Sequence, residues 1–139
     1  MKKILLLAAI IVISVVATTA VFARRGAIGP AGPVPRVSYI EPKNDSTVDL
    51  SGKDLLTFRW NNVPMPGGGR ESFRFTLYKG RGYDVLVKKV IDERTFSIEV
   101  PSDMFEDGRE YSWRVMQRDG KSMAWSRYDI WYFRVNKKR

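Results

Sequence analysis

The sequence contains no cysteine and no histidine. Without cysteine the chain has no disulfide bond, no thiolate zinc site, no cysteine nucleophile and no cysteine that a lipoprotein acyl chain could modify. Without histidine it has no Ser-His-Asp triad and no imidazole metal ligand. We therefore predict no catalytic, cofactor-binding or metal-binding residues, and we expect a protein that is not an enzyme.

The length and the charge narrow the class of protein further. The 139 residues are enough for one ordinary domain, and 44% hydrophobic with 28% charged residues excludes both a disordered chain and a polytopic membrane protein. The formal net charge is +9, but the basic residues are scattered and form a run only at residues 137–139. Because nucleic-acid binding usually needs a clustered basic face, we expect a solvated surface of mixed sign and no nucleic-acid partner.

The N-terminal segment is basic at residues 2–3 and apolar over residues 4–23. Small residues before a cleavage point, here Val21 and Ala23, are typical of a secretory signal peptide cleaved after Ala23. The apolar run also matches the ~20 residues that span a bilayer, so an uncleaved membrane anchor is the alternative. Both readings predict an exported, bacterial-type protein whose remainder lies in the periplasm, on the cell surface or in the medium.

The rest of the chain divides into three parts by composition. Residues 24–36 are rich in proline and glycine, which oppose helix and central strand, so they predict an extended linker. Residues 37–135 predict a single folded domain, and residues 136–139 form a basic tail.

Apolar residues alternate with polar ones in short runs throughout residues 37–135. Since neighbouring side chains of a strand point to opposite faces, each run predicts a strand with one buried face. Turn-forming residues separate the runs, and no stretch keeps a helical period. We predict an all-β, seven-stranded antiparallel sandwich. Nine aromatic residues are expected to face its core: Phe58, Trp60, Phe73, Phe75, Phe96, Tyr111, Trp113, Trp131 and Phe133.

Three motifs of the domain resemble those of fibronectin type III domains, in a diverged bacterial exported form. Trp60 ends the pattern Leu-x-Phe-x-Trp, where that family has a core tryptophan. Residues 105–115, FEDGREYSWRV, are similar to the family's Leu-x-Pro-Gly-x-x-Tyr-x-x-x-Val segment, with Phe105 replacing the leucine and Asp107 the proline. Residues 125–135 are similar to the approach to the family's last strand.

The resemblance implies an immunoglobulin-like sandwich with a tyrosine corner. Tyr111 would be the corner residue, whose hydroxyl bonds to the backbone a few residues upstream. The structural core would include Trp60, Tyr111, Trp113 and Phe133. Another immunoglobulin-like family is the alternative, and the resemblance says little about function because sandwich domains have many roles.

A partner-binding surface is the remaining candidate site. The segment 121–128, KSMAWSRY, precedes the last predicted strand and combines aromatic with basic residues, which are favoured anchors of protein interfaces. The alternative is that Trp125 folds back onto the core. The candidate contact residues are Lys121, Trp125, Arg127, Tyr128 and, in a separate turn, Tyr83.

Two functions of different classes follow. The first is an exported, non-catalytic binding module that recognises an envelope protein or an anionic or sugar polymer. The second is a structural spacer or subunit of a cell-envelope assembly. A binder should expose its loop aromatic residues, whereas a structural subunit should show a long unpaired edge strand or an apolar sheet face.

Overall fold

The computed structural model describes residues 34–64, 71–91, 95–121 and 123–138. The predicted signal peptide or anchor (1–23), and with it the membrane association through residues 4–23, lies outside the described residues, as does most of the predicted linker (24–36). Within the described ranges no helix is long and apolar enough to span a membrane. The strands are β1 (Ser38–Glu41), β2 (Ser46–Asp49), β3 (Leu55–Asn61), β4 (Glu71–Lys79), β5 (Asp84–Ile91), β6 (Ser97–Pro101), β7 (Glu110–Asp119) and β8 (Trp131–Asn136).

The strands form two sheets that pack face to face. One is three-stranded with the order β1-β3-β6, and the other is five-stranded with the order β2-β8-β7-β4-β5. A single turn of 3-10 helix (Ser102–Met104) is the helical element of the described residues. The prediction of an all-β sandwich of two sheets is confirmed.

The strand count of seven is not confirmed, because the described residues form eight strands. The additional strand is β2, which pairs in parallel with β8, so the sandwich is also not antiparallel throughout. In β2 only Val48 is apolar and half-buried, and Thr47 lies opposite Arg134. Its conformation is set by the neighbouring strand rather than by an alternating pattern of its own, which explains why the sequence showed no strand there.

Aromatic rings from both sheets interlock in the core. The Phe58 ring of β3 contacts three rings of the opposite sheet, at 5.0 Å from Phe75, 5.2 Å from Trp113 and 5.7 Å from Phe133. Such edge-to-face contacts stabilise aromatic pairs beyond their buried area. The four residues of the expected core are fully buried: Trp60, Tyr111, Trp113 and Phe133.

Two aromatic residues of the predicted inward set are placed differently. Phe96 lies before β6 and is 36% exposed, with its ring 5.6 Å from that of Phe73 at the rim of the core. Trp131 is partly buried and packs against the core from its edge. The prediction that Phe96 faces the core is wrong, because β6 begins one residue later, at Ser97.

Tyr111 makes the bond that the resemblance implied. The backbone N–H of Glu106 donates a hydrogen bond to the Tyr111 hydroxyl at 2.7 Å, five residues upstream. The Tyr111 ring also packs edge-on against Phe105 at 5.0 Å. This side chain therefore ties the loop between β6 and β7 to the core.

A second buried tyrosine, Tyr39 of β1, bridges a gap between β7 and β8. Its hydroxyl accepts a hydrogen bond from the Val115 N–H at 2.8 Å and donates one to the Asp129 carbonyl at 2.6 Å. Its ring stacks on Trp113 at 4.6 Å. Burial raises the pKa of Tyr39 to about 12, against an ordinary value of 10.0.

Because the pKa of Tyr39 is higher in the folded protein, the unfolded chain loses this proton first as the pH rises. The stabilisation by the neutral hydroxyl is complete below the unfolded pKa and is lost as the pH approaches the folded one. We expect the free energy of unfolding of wild type relative to Tyr39→Phe to fall by about 2 kcal/mol between about pH 9 and pH 12. Urea unfolding of both proteins across this range measures the difference, and a constant difference would contradict the buried, protonated hydroxyl.

Candidate functional site

The outer face of the five-stranded sheet carries three arginines on two adjacent strands. In the β4–β7 ladder, Arg74 lies opposite Met116, and Arg114 and Arg118 lie opposite Thr76 and Ser72. Since the inward positions of both strands hold buried core residues, these alternate positions point away from the core. The register therefore places the three arginine side chains on one surface.

The segment after β7 turns back along this strand before β8 begins. Trp125 forms a bridge with Arg118, and the Ser126 N–H donates to the Gln117 carbonyl at 2.8 Å. The Gln117 N–H in turn donates to the hydroxyl of the buried Ser126 at 3.1 Å. These bonds fix the segment beside the end of β7, with Trp125 on the same face as its bridge partner Arg118.

Trp125 and Tyr128 stack on the three arginines. The Cζ atoms of Arg74 and Arg118 lie 4.1 and 5.2 Å from the centre of the Trp125 ring. The Arg114 Cζ lies 4.2 Å from the centre of the Tyr128 ring and 5.5 Å from that of Tyr78. All four distances fall within the range of cation–π attraction. We call Arg74, Arg114 and Arg118 with Trp125 and Tyr128 the arginine face.

The arginines of this face differ in their charge partners from four other arginines of the domain, although Arg127 and Arg134 likewise form no ion pair within the described residues. Salt bridges join Arg36 to Asp129, Arg59 to Glu41, Arg81 to Glu110 and Arg109 to Glu106. By contrast, no carboxylate of the described residues forms an ion pair with Arg74, Arg114 or Arg118. Three cations thus lie side by side, and no carboxylate of residues 34–64, 71–91, 95–121 or 123–138 neutralises them.

Hydrogen bonding on the face is also incomplete. The Nε atoms of all three arginines and the Thr76 hydroxyl are buried, and none of them has a hydrogen-bond partner among the residues that the structure describes. The terminal Nη atoms are not among these buried atoms, and they make no bond to protein either, so they are accessible to solvent. The Nη groups therefore keep hydrogen-bond donors to which an anion can bond.

The structure separates the five predicted contact residues. Trp125 is partly buried and Tyr128 is 41% exposed, and both belong to the arginine face. Arg127 is exposed between them, and Lys121 is exposed at the turn after β7. Tyr83 is 96% exposed in the turn between β4 and β5.

Tyr83 and Lys121 lie at opposite ends of the β4–β7 ladder. The turn with Tyr83 follows Lys79, and Lys121 follows Asp119, which pairs with the first residue of β4. Eight residue steps along a strand separate these ends by roughly 26 Å. The predicted residues therefore do not form one contact surface, and Tyr83 stands apart from the arginine face.

Sequence reasoning missed the arginines as members of the site. Arg74 and Arg114 occupy polar positions of the alternating pattern, which marks them as outward-facing but does not say what lies next to them. Only the register of β4 with β7 brings them beside Arg118, and only the return of the chain after β7 brings Trp125 over them. The sequence did contain one indication of this site, namely the basic residues at outward-facing positions of two predicted strands.

Other parts of the described surface offer no comparable arrangement. A groove of about 1100 Å³ lies at the end of the sandwich that holds the 3-10 helix, and polar groups of its lining bond to one another. For example, the Lys137 N–H donates to Asp107 Oδ1 at 2.7 Å. Among the described residues there is no group of three or more acidic side chains that could hold a metal ion.

We expect Trp125→Ala to lower the free energy of unfolding by about 1 to 2 kcal/mol, because the ring attracts two guanidinium groups. Trp125→Phe, which keeps an aromatic ring, should cost less than half of this. As a control, Arg127→Ala removes an exposed side chain next to the same strand and should change stability by less than about 0.5 kcal/mol. Urea unfolding of the three variants tests this, and equal losses for Trp125→Ala and Arg127→Ala would contradict the stacking.

Comparison with known proteins finds likeness in fold. No protein-family model and no characterised protein matches the sequence. Among solved structures, the chain is similar to CopC from Methylosinus trichosporium OB3b, with 14% identity over 74% of this chain and 96% of that one and a TM-score of 0.45. It is also similar to the third fibronectin III domain of the human KIAA0343 protein, with 14% identity, coverage of 72% and 90%, and a TM-score of 0.46. The two sheets and their strand orders by themselves define the fold as an all-β sandwich.

Proposed function

We propose that the protein is an exported, non-catalytic binding module that recognises an anionic partner through the arginine face. The observation that carries the proposal is the set of three adjacent guanidinium groups that have no carboxylate partner in the part of the chain that the structure describes. Arginine is favoured wherever carboxylate, phosphate or sulfate groups are bound, because its planar fork donates two parallel hydrogen bonds. The N-terminal sequence supports export.

The stacking favours an anionic polymer over a neutral sugar polymer as the partner. A sugar-binding platform needs an aromatic ring with an open face, but the half-buried Trp125 ring contacts Arg74 and Arg118, and the Tyr128 ring contacts Arg114. The rings hold the arginines in place, and the arginines make the contacts. This reverses the roles expected from the sequence, in which the aromatic residues were the contact groups and Lys121 and Arg127 supplied charge.

The second candidate function, a structural subunit of an envelope assembly, is favoured by β5. This strand is the longest of the sheet edges in the described residues, and Val85 and Val90 are 50% and 55% exposed on it. However, Lys88 and Lys89 lie in its middle, and the register with β4 shifts at a bulge. Charged residues and bulges protect edge strands from pairing, so β5 supports this function less than the arginine face supports binding.

Binding to a polyanion tests the proposal. We expect wild type to bind immobilised sulfated dextran and to elute as salt is raised, because screening shortens the Debye length from ~10 Å at 0.1 M to ~3 Å at 1 M. The variant Arg74→Gln, Arg114→Gln, Arg118→Gln should elute at clearly lower salt. Thermal unfolding of each variant verifies that it is folded.

The control removes the same number of charges elsewhere. Arg59 lies on the three-stranded sheet, Lys53 in the turn before it and Lys138 after β8, and all three are exposed. The variant Arg59→Gln, Lys53→Gln, Lys138→Gln should elute close to wild type. If both triple variants elute at the same salt, net charge rather than the arginine face explains the binding.

A further inference from the structure

The outer face of the five-stranded sheet continues from the arginine face onto the edge strand β5. In the β4–β5 ladder, Lys88 lies opposite Thr76, and Val90 lies opposite Arg74. The register shift of this ladder falls beyond Thr76, towards the end of β4, so both pairs belong to its regular part. Since directly opposite residues of a ladder point to the same face, Lys88 shares the outer face with Arg74.

Lys88 stands in one row with Thr76 and Arg114. Arg114 is the partner of Thr76 on the other side of β4, so the backbones at Lys88 and Arg114 are two strand spacings apart, roughly 10 Å. Lys88 is also the diagonal neighbour of Arg74, at about 7 to 8 Å along the backbone. Arg114 and Arg118 hold the same diagonal relation to Arg74 on its other side. Arg74 is therefore the common neighbour of three other basic residues.

The charge of Lys88 is available to a partner. The residue is exposed, and no carboxylate of the described residues forms an ion pair with it. It therefore adds a fourth cation to the surface on which the three arginines lie.

The next residue, Lys89, points to the other face of the sheet. It lies opposite Phe75, which is a buried core residue, but it is itself exposed because β5 is an edge strand. Two lysines that are adjacent in sequence thus direct equal charges to opposite faces. Only Lys88 lies beside the arginine face.

We propose that Lys88 is a further contact residue for the anionic partner, and that the binding surface extends from the arginine face across β4 to the edge strand β5. This rests on the proposed function. A linear polyanion carries its charges in succession, so it gains affinity from each additional cation along its path. The lysine ammonium is a compact charge with rotatable donors, which lets it follow such a chain from a flexible stem. Both lysines protect the edge of β5 from pairing, but only Lys88 also binds.

A pair of single variants tests this proposal. Lys88→Gln and Lys89→Gln give the full-length protein the same net charge and differ only in the face that loses it. Binding of fluorescently labelled polyphosphate is measured by anisotropy at about 0.15 M salt, where the Debye length is about 8 Å. Lys88→Gln should bind about fivefold more weakly than wild type. Lys89→Gln should stay within about twofold, and Lys88→Arg, which keeps the charge, should bind as wild type does.

The salt dependence gives a second readout, which a merely structural effect of the substitution would not move. Each cation that contacts a linear polyanion releases part of a condensed counterion. The slope of log affinity against log salt should therefore become shallower by about 0.7 for Lys88→Gln and remain unchanged for Lys89→Gln. Thermal unfolding verifies that both variants are folded. If either is not, Lys88→Thr and Lys89→Thr replace the pair, because threonine suits a strand.

Each contrary result has a distinct meaning. Equal losses of affinity for the two variants, or an unchanged salt slope in Lys88→Gln, would overturn the role of Lys88. In that case the proposed function still holds if the Arg74→Gln, Arg114→Gln, Arg118→Gln variant loses affinity for polyphosphate. If this triple variant binds polyphosphate as wild type does, both proposals are wrong.

Discussion

The antiparallel pairing of β4 with β7 determines what both faces of the five-stranded sheet display. Nine residue pairs join Glu71–Lys79 to the strand from Tyr111 to Asp119. In this register the inward positions hold Phe73, Phe75 and Trp113, while the outward positions hold the arginines. Because side chains alternate between faces, a slip of one residue would expose the aromatic core and bury the charges. The hydrophobic core and the arginine face are therefore consequences of one register.

The ladder between β7 and β8 is interrupted, and the interruption leaves room for the aromatic residues of the arginine face. β7 pairs with β8 only up to Trp113 opposite Trp131, and the chain returns to β7 at Trp125 opposite Arg118. Between these points residues 127–130 are not paired with β7, and the Tyr39 hydroxyl bonds to the Val115 N–H and the Asp129 carbonyl instead. This bridge from the opposite sheet lets Trp125 and Tyr128 lie over arginines without leaving buried backbone groups unpaired.

The sequence was sufficient for the features that depend on local pattern. Alternation of apolar and polar residues predicted the sandwich, and the resemblance of residues 105–115 to a fibronectin type III segment implied that the Tyr111 hydroxyl bonds to the backbone upstream. Features that depend on which strands are neighbours were missed. The strand β2 forms because β8 lies beside it, and the arginine face forms because two distant strands meet in one register. The sequence identified Trp125 as a candidate contact residue. It could not predict that the Trp125 ring stacks with Arg74 and Arg118, because these two arginines are remote from each other in sequence.

The most direct measurement is an NMR titration of the arginine Nε–Hε signals with polyphosphate. If the three arginines of the face form one site, their signals should shift together and saturate at one ligand concentration, while those of Arg59 and Arg109 stay near their starting positions. Both of these control arginines already form salt bridges outside the face. Larger shifts at Arg59 or Arg109, or independent saturation of Arg74, Arg114 and Arg118, would contradict a single anion-binding face.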